Sequence, residues 1–140
     1  MIKTDLTSLQ EHPEKYKGKW VIVTTELKSL VNNPKNYQGK NIEVTGLVKL
    51  ESFDFRRING WSFILKDKEG NSVRCYEQEY RVESWTIPEL VLRRAEKEKK
   101  PVTVVGKFEG SQRIELDWME YEGQHYDTDY KPPNIQFSIF

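Results

Sequence analysis

One cysteine and two histidines stand among the 140 residues, and no long apolar run occurs. Each scarcity removes a class of function. Cys75 cannot form an internal disulfide, which fits a reducing compartment, so a cytoplasmic location is expected. His12 and His125 lie far apart, and with one cysteine they offer none of the standard zinc spacings, so no metal or other cofactor is expected. Nothing approaches the roughly 20 apolar residues that cross a bilayer, and Met1-Ile2-Lys3-Thr4-Asp5 lacks the apolar core of a secretion signal. No membrane partner is expected. Phosphate-cradling Gly-x-x-x-x-Gly-Lys, Gly-x-Gly-x-x-Gly and Gly-x-Ser-x-Gly are all missing, and with them the commonest signatures of catalysis. Charge of either sign is not in excess: 22 basic residues balance 22 acidic ones. Affinity for phosphate would therefore come from local placement of cations.

What is present is a duplication. Residues 4–24 recur at 25–45 without a gap. Thr4, Leu6, Ser8, Leu9, Pro13, Tyr16, Gly18, Lys19, Val23 and Thr24 return as Thr25, Leu27, Ser29, Leu30, Pro34, Tyr37, Gly39, Lys40, Val44 and Thr45. Unrelated segments of this length share about one residue, so the origin is a tandem copy. Each copy predicts a short helix, a Pro-x-x-Tyr-x-Gly-Lys turn and a β-strand. In the first, Thr4 or Asp5 is the expected cap and Pro13 the expected end of the helix; in the second these are Ser29 and Pro34. Twenty-one residues cannot close a core, so copy one must dock on something.

From Lys40 onward the pattern is five strands and a helix. Alternation over 40–50 puts Ile42, Val44, Gly46 and Val48 on one face, and Gly46 in mid-strand signals a close backbone approach. Strands follow at 61–67 (Trp61, Phe63 and Leu65 inward) and 72–77 (Val73 and Cys75 inward). A helix over 88–99, with Thr86 as a possible cap, precedes strands at 102–108 and 113–121. The remainder is turn-rich and ends in alternating Ile135, Phe137 and Ile139.

Three strands, a helix and two more strands is the order of the OB-fold, a five-stranded Greek-key barrel. The residues carry a matching resemblance. Asn33-Pro34-x-x-Tyr37-x-Gly39-Lys40-x-Ile42-x-Val44-x-Gly46-x-Val48 resembles the opening of many prokaryotic OB domains. Phe63-x-Leu65-x-Asp67-x-x-Gly70-x-x-Val73 resembles the second-to-third strand text of tRNA-anticodon-binding-like and single-strand-binding OB domains, and Val102-x-Val104-x-Gly106-x-Phe108 resembles their fourth strand. The expected fold is all-β with short helices: an OB barrel with a helix between its third and fourth strands, preceded by the duplicated helix–turn–strand unit. The expected units are an accessory repeat (1–28), the OB domain (29–122) and a tail (123–140) that could add an edge strand. The resemblance implies binding of single-stranded nucleic acid or protein and names no catalytic residue.

In OB domains the ligand groove lies on the outer face of strands two and three, between the one-to-two and four-to-five loops. Strand parity turns Ile64, Lys66, Arg74 and Tyr76 outward onto that face. The first loop carries Phe53, Phe55, Arg56 and Arg57, and the second is followed by Arg113. Aromatic faces on which bases stack and cations for phosphates are what single-strand binding requires. Each residue has a plainer use: Phe53 and Phe55 could cap the barrel, and Arg56 and Arg57 could pair with Glu51 or Asp54. Arg93, Arg94, Lys97, Lys99 and Lys100 are interleaved with Glu96 and Glu98, the pattern of a solvated helix face. Cys75, inward on a strand, is a buried thiol rather than a nucleophile.

The leading expectation is a non-catalytic module that binds single-stranded DNA or RNA through stacking aromatics and arginines. The alternative is a protein-interaction or assembly module without nucleic-acid binding, a homo-oligomer or the binder of a protein partner, working through the N-terminal repeat or the tail. Zero net charge, the acidic fifth barrel strand and the apolar end of the tail favour the second. A groove that is basic and aromatic would favour the first.

Overall fold

A computed structural model describes residues 1–51, 61–77 and 86–127. The chain opens with β1 (Ile2–Thr4), α1 (Leu6–Glu11), α2 (Pro13–Tyr16) and β2 (Val21–Thr24). It repeats as α3 (Leu27–Asn32), α4 (Pro34–Tyr37) and β3 (Asn41–Leu50). Asp5 caps α1 by accepting the Ser8 N–H at 2.7 Å. Pro13 and Pro34 do more than stop a helix. Each sits in the first turn of the next helix, where a missing N–H costs nothing. Ser29, the expected cap of the second copy, falls inside α3, whose flanking residue is Glu26.

The two copies share conformation as well as text. His12 and Asn33, between the paired helices, have φ/ψ of −130°/56° and −131°/56°, and Gly18 and Gly39 turn the chain with φ of 73° and 78°. Thr4 and Tyr16 hydroxyls lie 2.9 Å apart, and in the second copy Thr25 donates to Tyr37 at 3.1 Å. The strands stack in parallel with one repeated register: Ile2 pairs with Val21, and Val23 with Ile42. Accessory unit and barrel therefore share one sheet.

The barrel comprises β3, β4 (Trp61–Lys66), β5 (Ser72–Glu77), β6 (Val102–Phe108) and β7 (Arg113–Tyr121), with α5 (Thr86–Glu98) between β5 and β6. Neighbours run β3-β4-β5-β7-β6, and β6 pairs back with β3 to close the cylinder. The β5–β7 pair is parallel and the other barrel pairs are antiparallel. This is the Greek-key OB barrel. β8 (Gln124–Asp127) adds to the free edge of β7.

β3 serves two neighbours in turn. Residues Asn41 to Gly46 pair with β6, and Leu47 to Leu50 pair with β4. Gly46 stands at the handover, where a Cβ would come within 2.9 Å of the Lys66 carbonyl oxygen and the Leu27 and Leu65 side chains. Only glycine fits this crossing. β2 takes the stretch of β3 edge that β4 leaves open, at Ile42 and Glu43.

Inside lie Val44, Phe63, Leu65, Val73, Cys75, Val104, Phe108, Ile114, Leu116 and Met119, all essentially inaccessible. Leu92 and Ala95 of α5 close one end of the core, and Glu96 accepts the Leu50 N–H at 2.6 Å. Leu27 and Leu30 of the second copy belong to this core, whereas their counterparts Leu6 and Leu9 are only partly buried. Copy two is part of the barrel wall, and copy one is a layer added outside it.

Candidate nucleic-acid interface

The pleat of β4 and β5 sends alternate residues to opposite faces. Phe63, Leu65, Val73 and Cys75 point inward and are buried, so Ser62, Ile64, Lys66, Arg74 and Tyr76 point outward. Register then sets them in rows. Ile64 stands opposite Arg74 and Arg74 opposite Arg113; Ser62 stands opposite Tyr76 and Tyr76 opposite Glu115; Lys66 faces Ser72. Five residues expected from sequence, Ile64, Lys66, Arg74, Tyr76 and Arg113, thus share one face. Phe53, Phe55, Arg56 and Arg57 lie outside the described residues.

The loop between β6 and β7 borders this face. Gly110, Ser111 and Gln112 all carry positive φ (75°, 49° and 59°), a tight turn closed by the Arg113 N–H donating to the Gly110 carbonyl at 3.0 Å. The Gln112 carbonyl accepts the Arg74 N–H at 2.8 Å, which docks the turn on β5. Between turn and sheet lies a shallow concavity of 240 Å³, lined by Ile64, Ser72, Val73, Arg74, Ser111, Gln112 and Arg113.

Its electrostatics are mixed. Arg74 pairs with Glu51 at 2.8 Å, with its side chain half exposed, and the Ser62 hydroxyl donates to the same carboxylate at 3.0 Å. Arg113 lies 4.5 Å from the centroid of the Tyr76 ring, a cation–π arrangement. Tyr76 donates its hydroxyl proton to Glu109. Burial, and then this hydrogen bond, push the phenol up to about 12. The same bond, as its largest cause, holds Glu109 below the usual carboxylate range, while burial and the nearby Glu109 hold Glu115 above it. Tyr76 is thus on the expected face but only 6 % exposed. The open flat group at this position is the Arg113 guanidinium.

Of the three carboxylates that organise these cations, sequence reasoning named Glu51 only as a partner for Arg56 or Arg57 and gave Glu109 and Glu115 no place at the site. Parity from Arg113 puts Glu115 on the same face and could have found it. Glu51 and Glu109 reach the face from strand ends, and no spacing rule marks them. Lys66 is exposed beside Ser72.

A second concavity, of 420 Å³, lies where β2 and α3 meet the β4–β5 turn. Glu26, Glu43, Asp67 and Glu69 line it with Lys28, which makes it a poor site for phosphate. Among the described residues no group of three or more His, Cys, Asp or Glu is placed to hold a metal ion. Cys75 is fully buried, and desolvation pushes its thiol well above the ordinary range. Among the described residues, no helix is long and apolar enough to cross a membrane.

No family model matches the chain, and no curated protein matches it in sequence. Among solved structures it is similar to a chain of the S. pombe Stn1–Ten1 complex, at 12 % identity and a TM-score of 0.43 over 83 % of this chain and 86 % of that one. It is also similar to the S. pombe telomere capping protein Ten1, at 12 % identity and a TM-score of 0.41 over 83 % of this chain and 91 % of that one.

Proposed function

We propose that the chain is a non-catalytic OB module that binds single-stranded nucleic acid across the outer face of β4, β5 and the start of β7. The observation that carries this reading is the convergence of Lys66, Arg74 and Arg113, from three adjacent strands, around the apolar Ile64 and the concavity beside it. Cations track phosphates, while Ile64 and the flat Arg113 guanidinium offer surfaces to bases. Ser72, Ser111 and Gln112 supply polar groups on the same rim. The likeness of the Phe63-to-Val73 text to anticodon-binding-like and single-strand-binding OB domains supports the same face.

Glu51, Glu109 and Glu115 offset much of the positive charge. Binding at this face is therefore weak and strongly dependent on salt, with a log–log slope of about −2 for three cations on a single strand. Titration of labelled DNA and RNA oligonucleotides at low salt tests the reading. Arg74→Ala and Arg113→Ala should each weaken binding severalfold and each reduce the salt slope by about 0.7. Undiminished binding in the double variant would overturn it.

One observation favours a second reading, a protein-interaction module. Arg74 has a carboxylate partner and Arg113 lies beside two more, and a surface of alternating charge suits a protein partner of complementary pattern. Capture of a defined protein by a face indifferent to oligonucleotides would establish it.

A further inference from the structure

The duplicated turn stands twice at one end of the sheet, once against the barrel and once beyond it. Backbone geometry is the same in both. Lys17 and Gln38 have φ/ψ of −58°/130° and −57°/129°, and each precedes a glycine of positive φ. Side chains at equivalent positions are therefore presented alike, one strand spacing of about 5 Å apart. Copy two shows where that places them. The Gly39 N–H donates to the Phe108 carbonyl at 2.7 Å, and the Gln38 side chain packs on Gly110, 3.5 Å from where a Cβ would stand. Gly110 opens the turn that borders the β4–β5–β7 face. The turn of copy two thus continues the rim of that face, and the turn of copy one carries it a step further.

What differs between the copies is their chemistry. Where copy two has Gln38 and Asn41, copy one has Lys17 and Trp20, and both keep a lysine after the glycine, Lys19 or Lys40. Lys40 donates to the Asn36 carbonyl at 2.8 Å. Lys17 and Lys19 are exposed and, among the described residues, have no ion-pair partner. Trp20 is 58 % exposed. It shares parity with Ile22, whose β1 neighbour Lys3 reaches Glu43 on the outer face of β3 at 2.6 Å. The indole therefore lies on the outward side of the sheet, as do Lys107, Arg113 and Arg74. An open indole between exposed ammonium groups is the combination of π face and cation that single strands require.

Resting on the reading of the β4–β5–β7 face as the first site, we infer that Lys17, Lys19 and Trp20 form a second contact for single-stranded nucleic acid. Trp20 supplies the stacking surface and the two lysines hold phosphates. From Arg113 on β7 to Trp20 on β2 the path crosses β6 and β3, about 15 Å at the usual strand spacing. Four to five stacked nucleotides at about 3.4 Å each cover that distance. Exposed Lys107, outward on β6, is a cation along the way, and Glu115 opposite it tempers that step. A strand too short to leave the groove meets Ile64, Arg74 and Arg113 alone. One of about a dozen nucleotides also reaches Trp20.

Two oligothymidylates, about 5 and about 15 nucleotides long, titrated against the full chain at low salt, separate the two contacts. The long one should bind the unaltered chain more tightly. Trp20→Ala should weaken its binding about fivefold or more and leave the salt slope unchanged. Lys17→Ala/Lys19→Ala should weaken it too and lower the log–log salt slope by about 1.4. Neither variant should change binding of the short oligomer, and unchanged thermal unfolding is the control for folding. Long-oligomer binding indifferent to both variants would overturn the inference and leave the groove standing, as would an equal loss at the two lengths. Arg74→Ala/Arg113→Ala, read on the short oligomer, tests the groove separately. Short-oligomer binding that survives it, or no binding at either length, would overturn the groove and the second contact with it.

Discussion

Arg113 lies 4.5 Å over the ring of Tyr76, and this one contact converts an aromatic site into a cationic one. β5 supplies the ring and β7 the guanidinium, and the parallel pairing of those strands brings them together. Glu109 fixes the far end of the tyrosine through its hydroxyl, so ring and cation form a single layered unit. Removing the cation should expose the ring. Arg113→Ala is expected to trade phosphate attraction for a stacking surface: weaker binding at low salt, and a smaller loss as salt rises.

The carboxylates beneath that unit predict a pH dependence. Glu115 titrates above its unfolded value of 4.5. Its raised pKa favours the fold below that value, and the advantage is lost as pH rises through the folded pKa. Glu109, held low by the Tyr76 hydroxyl, behaves oppositely: its contribution is present above 4.5 and lost as pH falls through its folded pKa. Glu115→Gln should therefore stabilise the protein at pH 7. The gain should vanish at acid pH. Thermal unfolding of both proteins across pH 3–8 measures this; an equal gain at every pH would contradict the assignment.

Equivalent leucines in the two copies should differ sharply. Leu30 is 0 % exposed within the core, while Leu9 is partly buried at its margin. Leu30→Ala is expected to cost about 2–4 kcal/mol and Leu9→Ala about 1 kcal/mol. Urea unfolding reads both. Equal costs would mean that copy one is as much a part of the barrel as copy two.

Cys75 gives a test of the core itself. Fully buried, with its thiolate disfavoured by desolvation, it should resist alkylation in the native state and react on unfolding. Mass spectrometry after iodoacetamide treatment distinguishes the cases, and rapid native labelling would show the register of β5 to be wrong.

The legible parts of this fold are those that local pattern dictates. Alternation at Phe63/Leu65 and Val73/Cys75 fixed the inward face of β4 and β5, and with it the outward placement of Ile64, Lys66, Arg74 and Tyr76. Gly46 in mid-strand signalled the close crossing found beside Lys66. Illegible parts depend on partners distant in sequence. Three residues, Ile2 to Thr4, carry no periodicity, and only parallel pairing with β2 makes them a strand. β8 at Gln124–Asp127 likewise exists through its ladder with β7. Tyr76 reads as an open aromatic until Arg113 is set above it, and that requires knowing that β5 and β7 are neighbours. Glu51 and Glu109 joined the site in the same way, from strand ends that the barrel brings to one face.

The most direct test of the central claim is a titration of fluorescent single-stranded oligonucleotides against the full chain and against Arg74→Ala/Arg113→Ala, from 20 to 200 mM salt. The account predicts measurable low-salt binding by the unaltered chain, a log–log slope near −2, and loss of most of both in the double variant. Identical curves for the two proteins, or no binding at micromolar protein and low salt, would contradict it.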